Sequence, residues 1–353
     1  MFSLRPKKTA FLGIDISPSS VKLVELVRDA GGVQLERYAI VMLSPMEAAT
    51  ESQSRIQVMG AAIRKGIRQL GTKVTQAVTA VPISAVITKT VSFPATLNED
   101  EIEAQIELEA ERYIPFPLED VSLDFFVVGP TQGYPQSVDV QVVASRREFV
   151  EDRAAALEWA GLKAEAVDVE SFALMRGCDW FMRTEPAYAS PVYAVCDMGA
   201  ATNALIVIRD EQVIYNREQA FGGRQLTTDI QQRFGLTFED AEAAKKTGRL
   251  LENYEADILA PFIDTLGQQV HRGLRLFNVS QPQVTVNRIF LSGGNSALPG
   301  LDRAVAAATG CPVSRVDPFA GMSVGPSAAK PSFVQDAPSL LIATGLALHG
   351  LDA

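Results

Sequence analysis

Histidine and cysteine are scarce in this 353-residue chain, with two of the first and three of the second. Cys178, Cys196 and Cys311 are scattered and form no C-x-x-C pair, which excludes a disulfide framework and a cysteine zinc site. His271 and His349 leave triad or histidine-metal chemistry almost no material. No run reaches the roughly 18 consecutive apolar residues of a bilayer span. The N-terminal segment Met1–Lys8 has three basic residues but no apolar stretch of signal-peptide type behind them. Reduced cysteines and the missing export signal place the protein in the cytoplasm. Basic charge is in deficit too: 32 Lys and Arg against 42 Asp and Glu give a net charge of −10. With no basic patch working against that field, nucleic-acid binding is not expected.

What is present is globular, since 47% of residues are hydrophobic and 21% charged. The chain divides by internal duplication. AFLGIDI (10–16) reads as a buried strand, VKLVELV (21–27) as a second, and 33–41 as a third after an Arg-Asp turn. A helix over 55–70 ends at Gly71. The same order recurs with VYAVC (192–196) running into Asp197, then ALIVI (204–208), another Arg-Asp turn, Val213–Tyr215 and a helix from about Arg224. The separation of the two aspartates and that of the two turns agree to within one residue. A Pro- and Ala-rich linker at 184–191 separates the copies. The expected lobes are 1–190, with an insert at about 83–161, and 191–353, with a helical insert at about 226–286. Within the first insert, Asn98 and Glu101 predict a capping box opening a helix over 99–112.

Asp15 and Asp197 each close a buried strand and precede a turn of small residues. A buried carboxylate needs a cation or donors, and such turns leave backbone N–H groups free for phosphate oxygens. One turn from each lobe would clamp a phosphate chain, the two carboxylates holding hydrated Mg²⁺. Lys22 can reach a phosphate. A third element, Arg288–Gly300, runs from a strand into Gly293-Gly294, where a flat base or ribose can lie against backbone. Glu242 and Lys245 share one helix face, suited either to ribose hydroxyls or to a mutual ion pair.

LGIDIS…VKLVEL, DMGAAT, AEAAKK and LSGGNSALPGL, in this order, resemble the phosphate and adenosine motifs of the actin-like ATPase superfamily. ITKTVSFP (87–94), ERYIPFPLEDVSLDFFVVG (111–129), VDVESFALMR (167–176) and APSLLIATGLAL (337–348) narrow the resemblance to the PilM family of type IV pilus assembly proteins, relatives of the division protein FtsA. The resemblance implies an α/β (α+β) actin-like fold of two duplicated RNase H-like lobes around a nucleotide cleft, with 83–161 as an FtsA-type inserted subdomain. It implies Mg²⁺ and ATP, with Asp15, Ser17, Ser19 and Lys22 at the first phosphate loop and Asp197, Gly199, Ala200 and Thr202 at the second. Glu242 and Lys245 face the ribose, Gly293, Gly294 and Asn295 the adenosine, and Gly223 is a further cofactor-binding residue.

Two departures bear on hydrolysis. Pro18 removes one N–H from the first loop, and Ala200 stands where actin carries an acid that orders cation-bound water. Glu170 reads first as a carboxylate complementing a helix dipole and otherwise remains the candidate for orienting water. Slow hydrolysis or none is expected.

The family implies docking of the cytoplasmic N-terminal peptide of a PilN-like membrane protein between the first lobe and its insert. Tyr113, Ile114 and Phe116 beside the acidic 99–112 helix suit a peptide with apolar anchors and a basic residue, or else pack the insert's own core. That partner would hold the protein peripherally at the inner membrane. Pilus motor ATPases and self-association are further partner readings. Met1–Lys8 reads as a flexible tail or a weak contact with anionic lipid. The alternatives are an FtsA-like filament former and a small-molecule kinase of the same superfamily. A kinase needs a polar substrate pocket where this chain has an apolar, aromatic insert. FtsA anchors through a C-terminal amphipathic helix, which the ending Gly350–Ala353 does not resemble.

Overall fold

The computed structural model describes residues 9–43, 52–247 and 253–352. The basic segment Met1–Lys8, read as a tail or lipid contact, lies outside them. β1 (Thr9–Ile16), β2 (Ser20–Asp29) and β3 (Gly32–Met42) are successive antiparallel neighbours. α1 (Ser52–Leu70) crosses over to β4 (Gln76–Val81), parallel to β1 on its other side. The chain then leaves the sheet through β5 (Val86–Pro94), α2 (Glu99–Glu109), β6 (Val121–Thr131) and β7 (Tyr134–Arg146), a separate three-stranded sheet with β7 in the middle. The Asn98–Glu101 capping box opens α2 as the spacing predicts. β7 continues without a break into α3 (Arg147–Trp159), which returns to β8 (Lys163–Val169), parallel to β4. α4 (Glu170–Thr184) leads out.

The second half repeats the plan. β9 (Val192–Met198), β10 (Asn203–Arg209) and β11 (Gln212–Gln219) are antiparallel, and α5 (Gly223–Phe234), α6 (Phe238–Thr247) and α7 (Ala260–Ser280) follow. β12 (Arg288–Ser292) lies parallel to β9, and α8 (Leu301–Thr309) leads to β13 (Val313–Arg315) beside β12. The sheets read β3-β2-β1-β4-β8 and β11-β10-β9-β12-β13, the same order built twice. Alternation along the second sheet sends Ala194, Cys196, Ile289 and Leu291 to the core under α5, α7 and α8. Tyr193, Val195 and Phe290 point the other way, into a core shared with α4 of the first lobe.

The chain then recrosses. β14 (Ser323–Val324) adds to the first sheet beside β3, and α9 (Phe333–Asp336) precedes α10 (Leu341–Asp352), which packs on β1 and α4. Assigning all of 191–353 to a second lobe is therefore corrected at its C-terminal end. The physical reason is that α10 is apolar on every side, and a helix of that kind must be covered on every side. It fits because glycine lines the contact: a Cβ on Gly13 would lie 1.9 Å from the carbonyl oxygen of Ala343, and one on Gly345 2.0 Å from that of Ala173.

His349, without an evident partner in the sequence, approaches Asp168 with its Nδ1 2.6 Å from Oδ2, and Arg176 donates to the same oxygen at 2.9 Å. These three tie α10 to β8 and α4. Trp159 lies at the surface over Gly60 with Arg64 stacked on its ring. Trp180 packs against the core and donates its indole N–H to the carbonyl of Ala320.

Gly345→Val forces a side chain into backbone that cannot yield. It is expected to lower unfolding free energy by at least about 2 kcal/mol in urea, whereas Ala307→Val on the exposed side of α8 changes it by less than about 0.5 kcal/mol.

Candidate functional site

Duplication places an aspartate at the penultimate position of the first strand in each lobe: Asp15 in β1, Asp197 in β9. Register then decides what faces each. Lys22 lies directly opposite Asp15 across the hairpin, and Ala204 occupies the same place opposite Asp197. Lys22 donates to Asp15 Oδ2 at 2.8 Å, with the carboxylate 3% exposed and the lysine side chain 17%. Burial pulls the Lys22 ammonium down, but Asp15, Asp197 and Glu170 outweigh it and leave it above its ordinary range. One ammonium thus answers carboxylates from both lobes. Asp197 is held above the usual carboxylate range by burial, which the attraction of Lys22 only partly offsets, with Asp15 adding repulsion. The Thr79 hydroxyl donates to the Ile14 carbonyl at 2.8 Å and pins the end of β1.

The two turns are built differently. In the first, the Ser17 hydroxyl donates to the Ser20 carbonyl at 2.9 Å and accepts from the Ser20 N–H at 3.2 Å, so it shapes the loop. The Ser19 hydroxyl lies 3.4 Å from it. In the second, the Gly199 N–H donates to the Thr202 carbonyl at 3.0 Å. The start of α5 docks onto that turn, with Gly223 and Arg224 N–H donating to the carbonyls of Gly199 and Ala200 at 3.1 and 2.8 Å.

Asn295, assigned from sequence to the adenosine side, donates its amide to the carbonyls of Gly199 and Met198 at 2.6 and 3.3 Å. It therefore fastens the Gly-Gly loop to the second turn. The fit leaves no room for Cβ atoms: one on Gly293 would lie 2.6 Å from Met198 backbone, and one on Gly223 2.2 Å from Asn295. Gly293 also holds φ at +84°, which L side chains rarely adopt. Gly294 is open by comparison, with Ser339 4.0 Å from its would-be Cβ.

Glu242 and Lys245 form their ion pair at 2.6 Å, and Lys245 also reaches the Thr227 hydroxyl at 2.9 Å and the Gly223 carbonyl at 3.3 Å. The pair braces α6 against the first turn of α5.

Glu170 opens α4 at the end of β8, beside the site. Burial pushes its carboxyl up to about 8, with Asp15 adding repulsion and Arg153 opposing it. Sequence reasoning missed three groups. Ser292 stands level with Asp197 in the parallel pairing of β9 and β12 and bonds its carboxylate. Its signal was present, as the serine just before the glycine pair. Glu218 lies near Asp197 and Glu170 with a buried, unpartnered Oε2. Arg153 of α3 faces Glu170 and Asp15. The last two sit within ordinary strand and helix patterns and carry no local signal. Among the described residues, no group of three or more His, Cys, Asp and Glu side chains is arranged to hold a metal ion by itself.

A family model described as type IV pilus assembly protein PilM matches residues 13–351. The chain belongs to the PilM family. A solved chain described as part of a PilM–PilN type IV pilus biogenesis complex is 30% identical, with a TM-score of 0.79 over 97% of this chain and 98% of that one. The ethanolamine utilization protein EutJ from Carboxydothermus hydrogenoformans is 17% identical, with a TM-score of 0.53 over 98% and 91% of the two chains, a likeness of fold. The fold is that of the actin-like ATPases, as the motifs implied, and the family's role is type IV pilus assembly. No helix among the described residues is long and apolar enough to cross a membrane.

The Glu170 carboxyl, raised in the folded state, has a defined pH signature. Below its ordinary value of 4.5 it is protonated folded or unfolded and costs nothing. As pH rises from there to about 8, only the unfolded chain ionises it, and stability falls. Relative to Glu170→Gln, the wild-type protein without ligand is expected to lose stability across this window by at most about 1.4 kcal/mol per pH unit, and denaturant titrations of both proteins between pH 5 and 8 measure it.

Proposed function

We propose that this protein is an ATP-loaded docking component of the pilus assembly platform: it holds Mg–ATP between its lobes and presents a groove to the N-terminal peptide of a PilN-like inner-membrane protein. The observation that carries the reading is the shared charge cluster, in which Lys22 stands between the penultimate aspartates of two duplicated strands. Two carboxylates, Asp15 buried and Asp197 half-buried, with one lysine leave an acidic surplus that a divalent cation neutralises.

The residues fit the ligand. Asp15 and Asp197 would hold the hydrated cation, with Lys22 on the phosphates. The turns at Ser17–Ser19 and Gly199–Thr202 would flank the chain of phosphates, and the Gly293-Gly294 loop would face the nucleoside, packed close to the second turn because Gly223 and Gly293 carry no Cβ. Bound cation supplies charge neutralisation at the phosphates. Asn295, Glu242 and Lys245 act by holding these loops in place.

Hydrolysis is expected to be slow. Ala200 offers a methyl group at the second turn, and a Glu170 carboxyl that stays protonated to about pH 8 is a poor acceptor for a water proton at neutral pH. This protein is cytoplasmic in our reading and reaches the membrane through its partner.

The insert supports the docking half. Ile114 is buried with Ala110, Val121 and Ala144, and Tyr113 packs against them with its hydroxyl on Glu109 at 2.5 Å, so these two serve the insert's own core. Phe116, Leu118 and Leu108 stay exposed near the acidic α2, and Arg146 covers one face of Phe116. That mixture suits a peptide with apolar anchors and a basic residue. The PilM–PilN complex of the 30% identical relative points to the same class of partner.

Calorimetric titration with Mg–ATP is expected to show one site, with affinity reduced by at least about tenfold in Asp197→Ala, and turnover well below one per second. Full ATP affinity in that variant would overturn the nucleotide assignment. A PilN-like N-terminal peptide is expected to bind the wild-type protein and to lose about tenfold or more in affinity to a Phe116→Asp, Leu118→Asp double variant whose ATP binding is intact. Unchanged peptide affinity would remove the groove from this face.

A further inference from the structure

We propose that Arg153 contacts the terminal phosphate of bound nucleotide and transmits its presence through α3 to the inserted sheet. The inference rests on the nucleotide reading above and adds a residue and a route that this reading leaves out. Topology places the side chain. α3 precedes β8, and β1, β4 and β8 run parallel, so Ile14 and Val169 flank β4 near the C-terminal edge of the sheet. Asp15 and Glu170 follow directly at that edge. A crossover helix runs antiparallel to the strands it joins, so α3 starts beside the same edge, and from its midpoint Arg153 lies close enough to interact with Glu170 and Asp15.

The Arg153 side chain is half-buried and under-used. Its one direct contact among the described residues is with the sulfur of Met59, at 3.3 Å. The neighbouring acid Asp152 is turned to Arg55 at 3.8 Å. Glu170 and Asp15 act on Arg153 through space, and burial still lowers its affinity for its proton. A desolvated guanidinium without a bidentate acceptor is costly. A phosphate presents two oxygens at once, a two-point acceptor that the planar guanidinium fork matches and a lysine does not. Arg153 would add a second cation beside Lys22, whose ammonium also answers Asp15 and Asp197.

The route outward is short. Arg146 ends β7 and Arg147 begins α3, leaving less than two helical turns to Arg153. The Ser145 hydroxyl bonds the Ala85 carbonyl at 3.0 Å, and Arg147 bonds the Val121 carbonyl at 3.3 Å. A shift of α3 on engaging phosphate is therefore imposed on β7 and on the start of β6, beside the exposed Phe116.

The test compares Mg–ATP and Mg–ADP affinities by calorimetry for wild-type, Arg153→Met and Arg153→Lys proteins, with hydrogen exchange of residues 121–146 in the presence and absence of each nucleotide. Arg153→Met keeps the apolar stem and is expected to weaken ATP binding about 10- to 100-fold, while ADP affinity stays within about twofold. The ATP-dependent protection of 121–146 should vanish with it, and Arg153→Lys should fall between. Arg153→Lys, which keeps stem and charge, carries the test if the methionine variant does not fold. An ATP-to-ADP affinity ratio unchanged in both variants overturns the proposal, as does equal weakening of both nucleotides. A wild-type protein that binds neither nucleotide instead overturns the nucleotide reading on which it rests.

Discussion

A single ammonium between two duplicated carboxylates is the constraint on which the cleft depends. If the duplication were complete in its side chains, each aspartate would face its own lysine across the hairpin, and each lobe would be electrically satisfied alone. Register gives Asp15 its lysine and gives Asp197 an alanine. Asp197 must therefore look across to the other lobe, and with Glu170 and Glu218 nearby the acids outnumber the cations. A buried surplus of this kind is relieved by protonation or by a bound cation. The raised Glu170 carboxyl shows the first remedy at work in the protein alone.

Around this cluster, the parts that must hold position are joined by backbone and glycine. The second turn, the start of α5 and the Gly-Gly loop are locked through Gly223, Gly293 and Asn295. At the other end of the strands, Tyr193, Phe290 and Phe181 of the two lobes share one core with α4 and α10. The glycine-lined seating of α10 allows little slack there. The two lobes thus share a packed base, with the charge cluster at the C-terminal ends of their first strands. The inserted sheet hangs on the first lobe through β7 and α3, with an acidic helix and several exposed apolar side chains on its outer surface.

Much of this is legible in the amino-acid sequence, because local patterning and internal symmetry report on strands, turns and charge at the same time. The strand-ending aspartates and the Asn98 cap follow from spacing alone. The Glu242–Lys245 ion pair is one of two arrangements open in the sequence, and the structure shows it formed. Arg153, Glu218 and the partnership of Asp168 with His349 are not legible there, since each lies within an ordinary amphipathic pattern and gains its meaning from a residue far along the chain. Asn295 shows the limit inside a motif: its place is readable, but the direction of its amide depends on which carbonyls the second turn leaves within reach.

By itself the sequence determined the family, the doubled strand order and the residues that close each strand, because these follow from periodicity, turn chemistry and matching motifs. Tertiary structure alone decided that the last residues return to the first lobe, since a helix apolar on every side goes wherever it can be covered on every side. It also decided that one lysine serves two carboxylates, because that outcome depends on how closely the two lobes approach.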